Sequence, residues 1–357
     1  MSLPPPGTGA SFQAMDLDQL AADLRAGRVA ALARAISLVE NARPGFERIL
    51  SGLHSSLGRA RRIGLTGPPG AGKSTLAERL VTTYRERGLK VAVVAVDPTS
   101  PFTGGALLGD RIRMESVALD DGVFIRSMAT RGSLGGLAST TRDVCDVLDA
   151  GGFDRIIIET VGVGQSELDV SRMADTTLLV LVPESGDGIQ TLKSGVMEAA
   201  DVYAVNKADR SGAEKLRQEI EVTLGIRRGN AYRNVPVHHG ALKSGPNRRK
   251  PVDDGSWTPP VVLTVAAKGD GVEELVGALD RHHDWLVANG ELGRRRRDRM
   301  RDRTRDVVDR SLRRWAWSES RAGAMIDDKL DEVADGRLSP YELADAIVDS
   351  LRQGARA

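Results

Sequence analysis

The sequence is poor in cysteine and in aromatic residues: Cys145 is the single cysteine among 357 residues, and aromatic residues make up 4%. One cysteine cannot form a disulfide within the chain, which favours a reducing compartment. No apolar run approaches the roughly 18–20 residues needed to cross a bilayer. The opening MSLPPPGTGA also lacks the basic and apolar regions of a secretory signal. We therefore expect a cytoplasmic protein with no membrane partner.

An excess of charge of either sign is missing as well, because 50 Lys and Arg residues oppose 49 Asp and Glu residues for a formal net charge of +1. This balance removes any global electrostatic argument for a nucleic-acid partner. The most basic stretch, RRRRDRMRDRTRDVVDRSLRRW, interleaves acids with bases and lacks a series of aromatic residues. It predicts a solvated helix with many ion pairs, because both charge signs recur at a spacing of four residues. The residues concerned are Arg297, Arg301, Arg305, Asp298, Asp302 and Asp306.

Seven short apolar runs alternate with helix-like segments between Arg62 and Ala267. Runs that are apolar throughout, without polar alternation, are typical of strands buried on both faces. The sequence therefore predicts an α/β fold with a mostly parallel seven-stranded sheet flanked by helices. The predicted strands are IGLTG, VAVVAVD, VFIRS, RIIIET, TTLLVLV, VYAVN and VVLTVAA.

The sheet region is flanked by helical segments on both sides. We predict a helical extension of two or three short helices over residues 1–60, a nucleotide domain over 61–290 and a helical arm over 291–357. Residues 227–259 are rich in Gly, Pro, Asn and charge and show no periodicity, so they predict a surface insertion within the nucleotide domain.

Residues 67–74 read GPPGAGKS and follow the first apolar run. In a loop with the spacing G-x-x-x-x-G-K-S, the glycines let backbone N–H groups point at phosphate oxygens, and the following helix adds its positive end. The Lys73 charge suits the β- and γ-phosphates, and the Ser74 hydroxyl suits Mg2+. The predicted phosphate-binding residues are Gly67, Pro69, Gly70, Ala71, Gly72, Lys73, Ser74 and Thr75.

The tetrapeptide NKAD follows the run VYAV and contains Asn206, Lys207 and Asp209. A carboxylate at this place can accept hydrogen bonds from N1–H and from the 2-amino group of guanine, a donor pair that adenine lacks. The stem of the lysine can cover the base. The sequence therefore predicts GTP and GDP as the bound nucleotides.

Three acidic residues follow the phosphate loop, at or near the ends of apolar runs: Asp97, Asp110 and Glu159. Each alone could equally cap a strand or begin a helix, but together with Ser74 they predict a Mg2+ site at the carboxyl edge of a parallel sheet. Glu159 also begins Glu-Thr-Val-Gly, in the place of the D-x-x-G element of GTPases, where a carboxylate could position the attacking water.

Gln165 is a candidate for orienting that water, although its neighbours Ser166 and Glu167 equally favour a helix start. No arginine finger can be assigned, since Arg111 and Arg113 are only nearby in sequence. We therefore predict slow hydrolysis by the chain alone and acceleration by a partner.

Four segments follow one another along the chain in this order: RIGLTGPPGAGKSTL, VDPTSPFTGGALLGDRIRM, RIIIETVGVGQSE and NKAD. Together they resemble the MeaB/MMAA family, also labelled ArgK, and the similarity extends from ALARAISLVE to SPYELA, over nearly the whole chain. Members of this family are P-loop GTPases that chaperone adenosylcobalamin-dependent methylmalonyl-CoA mutase, gating transfer of its cofactor and protecting it from inactivation.

The resemblance implies a role for each matched residue. Asp97, Asp110, Glu159 and Ser74 form the metal and carboxylate set; the catalytic residues are Lys73, Asp110, Glu159, Gln165 and Lys193. The last of these ends PESGDGIQTLK, which matches the third switch of the family. The base is read by Asn206, Lys207 and Asp209, supported by Ala266 and Ala267.

The implied partners are methylmalonyl-CoA mutase or a related acyl-CoA mutase, a second copy of this chain bound through the C-terminal arm, and, as a further candidate, the cobalamin adenosyltransferase.

Two features depart from the family pattern. The 227–259 insertion is longer than usual, which leaves open which mutase is served, and the usual S-A-x reads Ala266-Ala267-Lys268, which removes one hydroxyl contact.

Two other functions use the same loop. A small-molecule kinase would need an acceptor pocket with its own base, and no separate residue set suggests one. A nickel-insertion GTPase would need a His- or Cys-rich stretch. The only histidine clusters are the doublets at 238–239 and 282–283, which we expect to be solvated surface.

Overall fold

The structure is a computed structural model that describes residues 17–97, 114, 116–129, 134–160, 166–183, 195–227 and 255–354. The chain divides into two compact units, Met1–Leu292 and Gly293–Ala357. Within the described ranges, no helix is both long enough and apolar enough to span a bilayer. The predicted domain boundaries stay predictions. The predicted insertion at 227–259 also stays a prediction, because most of it lies outside the described residues.

One parallel sheet forms the centre of the first unit. Its strands run in the order β3-β2-β4-β1-β5-β6-β7, and every pairing is parallel. The predicted α/β fold and its seven strands are therefore confirmed. The strands are β1 (Arg61–Thr66), β2 (Val91–Asp97), β3 (Val123–Ala129), β4 (Arg155–Thr160), β5 (Thr176–Leu181), β6 (Val202–Asn206) and β7 (Val261–Thr264).

Helices flank this sheet. In chain order they are α1 (Leu17–Arg25), α2 (Val29–Glu40), α3 (Phe46–Leu53), α4 (Lys73–Glu86), α5 (Leu134–Ala150), α6 (Ser166–Met173), α7 (Val196–Ala199), α8 (Ala213–Arg227) and α9 (Val272–Ala288). A short 3-10 turn, His54–Ser56, follows α3.

Both faces of the strands are covered, which explains why their sequences are apolar throughout. In β1, Ile63 and Leu65 belong to the core that contains Leu76 and Leu80 of α4. Gly64 faces the opposite way, toward α6, where a Cβ would lie 2.6 Å from a side-chain carbon of Val170. Alternate positions of one strand thus enter different cores, and a polar residue on either face would be buried.

The N-terminal helices α2 and α3 pack on α5, and α1 packs on α2 and α3. Together they bury Leu24, Ile36 and Leu53 in one core with Leu148. The prediction of two or three short helices is confirmed. Asp149, at the end of α5, accepts hydrogen bonds from the backbone N–H groups of residues 58, 59 and 60 at 2.8–3.1 Å. Because these residues lead into β1, this buried carboxylate fixes the start of the strand that carries the phosphate loop.

The second unit contains the C-terminal helices. They are α10 (Glu291–Arg314), whose first two residues belong to the first unit, a π-helical turn (Trp315–Glu319), α11 (Ala322–Ala334) and α12 (Pro340–Gly354). No residue of α10 is buried, and Asp298 lies 3.5 Å from Arg294 and 3.2 Å from Arg301. The prediction of a solvated, ion-paired helix is confirmed.

The expectation that the second histidine doublet is solvated was wrong for His282, which is fully buried. Its Nδ1 lies 2.9 Å from the Thr176 hydroxyl, and its Nε2 lies 3.3 Å from Asp201. Its ring packs against Trp257 and Trp285. The reason is helical position, since residue 282 lies on the face of α9 turned toward the sheet. The doublet at 238–239 lies outside the described residues.

Tyr84, on the inner face of α4, provides a prediction about alkaline stability. Burial, together with the nearby Asp280 charge, raises its pKa to about 12, although the Arg155 guanidinium, 5.0 Å from the ring centroid, opposes this. The folded state therefore holds a proton that the unfolded state loses near pH 10. This contribution to the free energy of unfolding is complete below about pH 10 and falls as the pH rises toward 12, by on the order of 2–3 kcal/mol.

Tyr84→Phe should flatten this decline between pH 9.5 and 11.5, as measured by urea unfolding at several pH values. The burial-raised pKa of Cys145, about 11, falls in the same range, so both proteins should carry Cys145→Ala. An unchanged slope in the Tyr84→Phe protein would show that Tyr84 does not titrate as described.

Candidate nucleotide site

The turn between β1 and α4 depends on its glycines. Gly67 has a φ of +137°, and a Cβ there would lie 2.1 Å from the carbonyl oxygen of Val180. Gly72 has a φ of +86°, and its Cβ would meet the Asn206 amide nitrogen at 2.4 Å. Side chains are therefore excluded from both ends of the loop, and the backbone is left to line it.

Lys73 is the first residue of α4 and only 6% exposed. Its Nζ donates to the carbonyl oxygens of Gly67 at 2.7 Å and Pro68 at 3.1 Å, so the charge lies within the loop. The positive end of α4 lies at the same place. Pro69, Gly70 and Thr75 are exposed at the rim of the loop.

Ser74 and Glu159, both predicted metal ligands, are in direct contact. The Ser74 hydroxyl donates to Glu159 Oε1 at 2.6 Å, and Glu159 is only 2% exposed. Asp97 ends β2, the strand beside β4, with Val96 opposite Thr160. The carboxyl ends of these strands thus bring Asp97 and Glu159 to one edge of the sheet. The Ser74 hydroxyl and the Glu159 carboxylate supply oxygen donors of the kind that Mg2+ prefers, so this pair fits the ion.

Three predicted residues, Asp110, Gln165 and Lys193, lie outside the described residues. Where the structure is described, no group of three His, Cys, Asp or Glu side chains is arranged to hold a metal. The assignments of these three residues, like the other site assignments, stay predictions.

Asn206 joins the phosphate loop to the turn after β7. Its amide nitrogen donates to the carbonyl oxygen of Ala71 at 2.8 Å, and its Oδ1 accepts from the N–H of Ala266 at 3.0 Å. Lys207 has a φ of +57°, and its Nζ donates to the Gly70 carbonyl oxygen at 2.8 Å. The predicted base-reading segment and the predicted phosphate loop are thus parts of one hydrogen-bonded site.

Asp209 lies on the open side of this arrangement. Its side chain is 44% exposed, and its Oδ2 lies 3.5 Å from Nζ of Lys268. An exposed ion pair of this kind contributes at most about 1 kcal/mol. The carboxylate can therefore exchange this lysine for stronger donors, such as the two N–H groups of a guanine base.

Sequence reasoning missed one residue of this site, Arg79 of α4. Its Nε donates to the carbonyl oxygen of Ala266 at 3.0 Å, and its Nη2 donates to that of Ala267 at 2.8 Å. No motif marks this arginine, because its partners lie 187 and 188 residues further along the chain. Ala266, which it helps to hold, is buried, and Ala267 is exposed.

Comparisons with known proteins bear on what this site does. The family model described as "Methylmalonyl Co-A mutase-associated GTPase MeaB" matches residues 32–321. A protein of Pyrococcus abyssi that carries the description "Putative GTPase" is 41% identical over 338 residues, which cover 95% of this chain and 98% of that protein. The GTPase ArgK of Escherichia coli is 36% identical over 274 residues, covering 75% of this chain and 76% of that one.

Among solved structures, the chain is similar to a LAO/AO transport system kinase, with a TM-score of 0.64 and 26% sequence identity over 96% of this chain and 100% of that one. The matched family span contains the phosphate loop, the NKAD segment and the 266–267 turn. The resemblance seen in the sequence is thus confirmed, and this chain belongs to the MeaB/ArgK family of GTPases.

Proposed function

We propose that this protein binds and hydrolyses GTP and uses the bound nucleotide to gate adenosylcobalamin loading onto methylmalonyl-CoA mutase, or a related acyl-CoA mutase, and to protect that enzyme. The observation that carries this proposal is the family match over residues 32–321, because the family description names both a GTPase and association with the mutase. It favours this role over a small-molecule kinase and over a nickel-insertion GTPase. We place the protein in the cytoplasm, in keeping with its single cysteine.

The phosphate end of the site would act mainly through charge and position. Backbone N–H groups of Gly67 and of residues 70–74, together with the N-terminus of α4, would bind the phosphate oxygens. Lys73 exchanges the loop carbonyls, which its Nζ contacts at 2.7 and 3.1 Å, for the β- and γ-phosphate oxygens. Phosphoryl transfer needs little covalent help from the protein, so these groups supply most of the charge stabilisation.

Ser74, Asp97, Asp110 and Glu159 would hold Mg2+, which neutralises phosphate charge when bound. Glu159 also suits the task of orienting the attacking water, directly or together with Gln165, because Ser74 holds its carboxylate in place by a 2.6 Å hydrogen bond. Lys193 is proposed to transmit the nucleotide state to the mutase. With no arginine finger assigned in the chain, hydrolysis is slow alone.

A second copy of this chain is the proposed partner of the C-terminal arm. Apolar side chains of α10 are exposed, among them Val308 at 49% and Leu312 at 54%. Dimerisation would remove such surface from water. The cobalamin adenosyltransferase, which would deliver the cofactor, is a further candidate partner.

The proposal is tested by measuring phosphate release from GTP with the chain alone and with a purified adenosylcobalamin-dependent methylmalonyl-CoA mutase. We expect the mutase to raise turnover by about tenfold or more, since supplying a missing charge-stabilising group typically does so. Lys73→Ala mixed with the mutase controls for contaminating phosphatases. A turnover that neither this mutase nor a related acyl-CoA mutase changes would contradict the proposed partner role.

A further inference from the structure

Thr66, the last residue of β1, carries a buried hydroxyl without a partner. The residue is 0% exposed, and within the described part of the chain its Oγ1 forms no hydrogen bond. Thr160, which follows in register on the neighbouring strand β4, is equally buried, but its hydroxyl reaches the Leu65 carbonyl oxygen at 3.5 Å. Burial of a hydroxyl without a hydrogen bond is unfavourable, so its presence in a folded core calls for an explanation.

The Thr66 side chain faces α6. Alternate residues share one face of a strand, so Thr66 lies on the same face as Gly64, where a Cβ would lie 2.6 Å from a side-chain carbon of Val170. Helix α6 runs against the direction of β1, because the N–H of Asp175, just after the helix, donates to the carbonyl oxygen of Arg62 near the start of the strand. The first turn of α6 therefore lies toward the end of β1 that leads into the phosphate loop.

The levels of the strand and the helix can be matched by their rise. From Gly64 to Thr66 the strand advances about 6.6 Å, and about four residues of a helix cover the same distance. Since Gly64 lies beside Val170, Thr66 lies about level with Ser166, the first residue of α6. The first N–H groups of a helix have no acceptor within that helix. The Thr66 hydroxyl is therefore suited to accept a hydrogen bond from this turn.

Thr66 is also joined directly to the phosphate loop. Lys73 donates to the carbonyl oxygens of Gly67 and Pro68, the two residues that follow Thr66. When phosphate replaces these acceptors, as proposed above, the backbone next to Thr66 loses two hydrogen bonds to the lysine. Thr66 thus lies between the loop that responds to phosphate and the helix that follows Gln165.

We propose that Thr66 is a positioning residue for GTP hydrolysis, whose hydroxyl accepts a hydrogen bond from the first turn of α6 when GTP fills the loop. This contact holds the start of α6, and with it the adjoining Gln165, beside the γ-phosphate. GDP lacks the γ-phosphate, so the contact favours GTP over GDP. The inference rests on the proposed binding and hydrolysis of GTP, and it explains why β1 keeps a buried hydroxyl at its end.

The test measures nucleotide binding, hydrolysis and stability on the full chain. Thr66→Val keeps the shape of the side chain and removes the hydroxyl. It should raise the urea midpoint of the nucleotide-free protein, because an unpartnered buried polar group is removed. It should weaken binding of the GTP analogue GMPPNP by about fivefold, the effect of one lost hydrogen bond, and leave GDP affinity unchanged. Single-turnover hydrolysis of GTP should fall by about tenfold or more.

Thr66→Ser returns the hydroxyl and should restore both GMPPNP binding and hydrolysis. Thr141→Val is the matched control, because Thr141 is also 0% exposed and its hydroxyl also lacks a partner among the described residues, but it lies on α5, which packs on β2, β3 and β4. This control should raise the urea midpoint and leave binding and hydrolysis unchanged. If Thr66→Val does not fold, Thr66→Ala replaces it in the nucleotide measurements, with the same expected losses.

The outcomes separate this inference from the proposed function. Failure of the unaltered chain to bind GDP and GMPPNP would overturn the guanine-nucleotide function and the inference with it. With normal binding by the unaltered chain, an unchanged GMPPNP-to-GDP preference or an unchanged hydrolysis rate in the Thr66 variant would overturn the role of Thr66 alone.

Three further results would also overturn that role. Equal weakening of GMPPNP and GDP, or no recovery in Thr66→Ser, would indicate a general loosening of the loop. A lower urea midpoint for Thr66→Val would show that the hydroxyl already has a partner before nucleotide binds.

Discussion

Lys73→Ala is expected to lower GTP turnover by about 100- to 1,000-fold, the range seen when one preorganised charge-stabilising donor is removed from an active site. Lys73 is only 6% exposed and its Nζ already lies in the loop, 2.7 Å from the Gly67 carbonyl oxygen, so little reorganisation is needed to reach phosphate. GTP affinity should fall more than GDP affinity, because the γ-phosphate loses its nearest cation. Steady-state phosphate release and equilibrium titration of both nucleotides measure these effects.

Lys215→Ala is a suitable control for Lys73→Ala, because the Lys215 side chain is 81% exposed and forms an exposed ion pair with Glu219 on α8. It should retain full turnover. Near-normal GTP turnover in Lys73→Ala would place the hydrolysis site elsewhere in the chain and would remove the functional assignment of the phosphate loop.

Asp209→Asn should weaken GTP binding by at least about 100-fold and allow xanthosine triphosphate to bind. The carboxylate accepts two hydrogen bonds from guanine, whereas the amide offers one acceptor and one donor group. Xanthine presents a carbonyl oxygen where guanine has its 2-amino group, so the amide matches it. The fold should be unaffected, since the pair with Lys268 is exposed and contributes at most about 1 kcal/mol.

Competition between the two triphosphates for a fluorescent guanine nucleotide measures this change of specificity. Asp270→Asn provides the control, because Asp270 is an exposed aspartate in the turn after Ala267. That variant should keep its preference for GTP. Unaltered GTP affinity in Asp209→Asn would mean that the NKAD segment does not read the base.

The strands and the site edge were predictable because their signals are local. A strand buried on both faces must be apolar at nearly every position, and β4 and β5 are buried throughout. The carboxyl ends of the neighbouring strands β4 and β2 then bring Glu159 and Asp97 to one edge of the sheet. The signal of the predicted phosphate loop is also local, because its glycine spacing matches the positions where the backbone has a positive φ, Gly67 and Gly72.

Features made by distant segments were not predictable in this way. Asn206 bonds to Ala71, which lies 135 positions earlier in the chain, and to Ala266, which lies 60 positions later. Arg79 is separated by still more positions in the chain from the 266–267 turn that it contacts. An arginine at this place in a helix does not by itself indicate such a contact. His282 was misjudged because a doublet of polar residues in sequence does not reveal how deeply a helix buries each of them. The His283 side chain is also only 13% exposed.

The central claim is that the loop at 67–74, the NKAD segment and the 266–267 turn form a single guanine-nucleotide site. Calorimetric titration of the full chain with GDP and with ADP, in buffer containing Mg2+, tests this claim most directly. We expect one GDP to bind per chain, and ADP at a large excess to leave that binding unchanged. Comparable affinity for ADP, or no binding of GDP, would contradict the account.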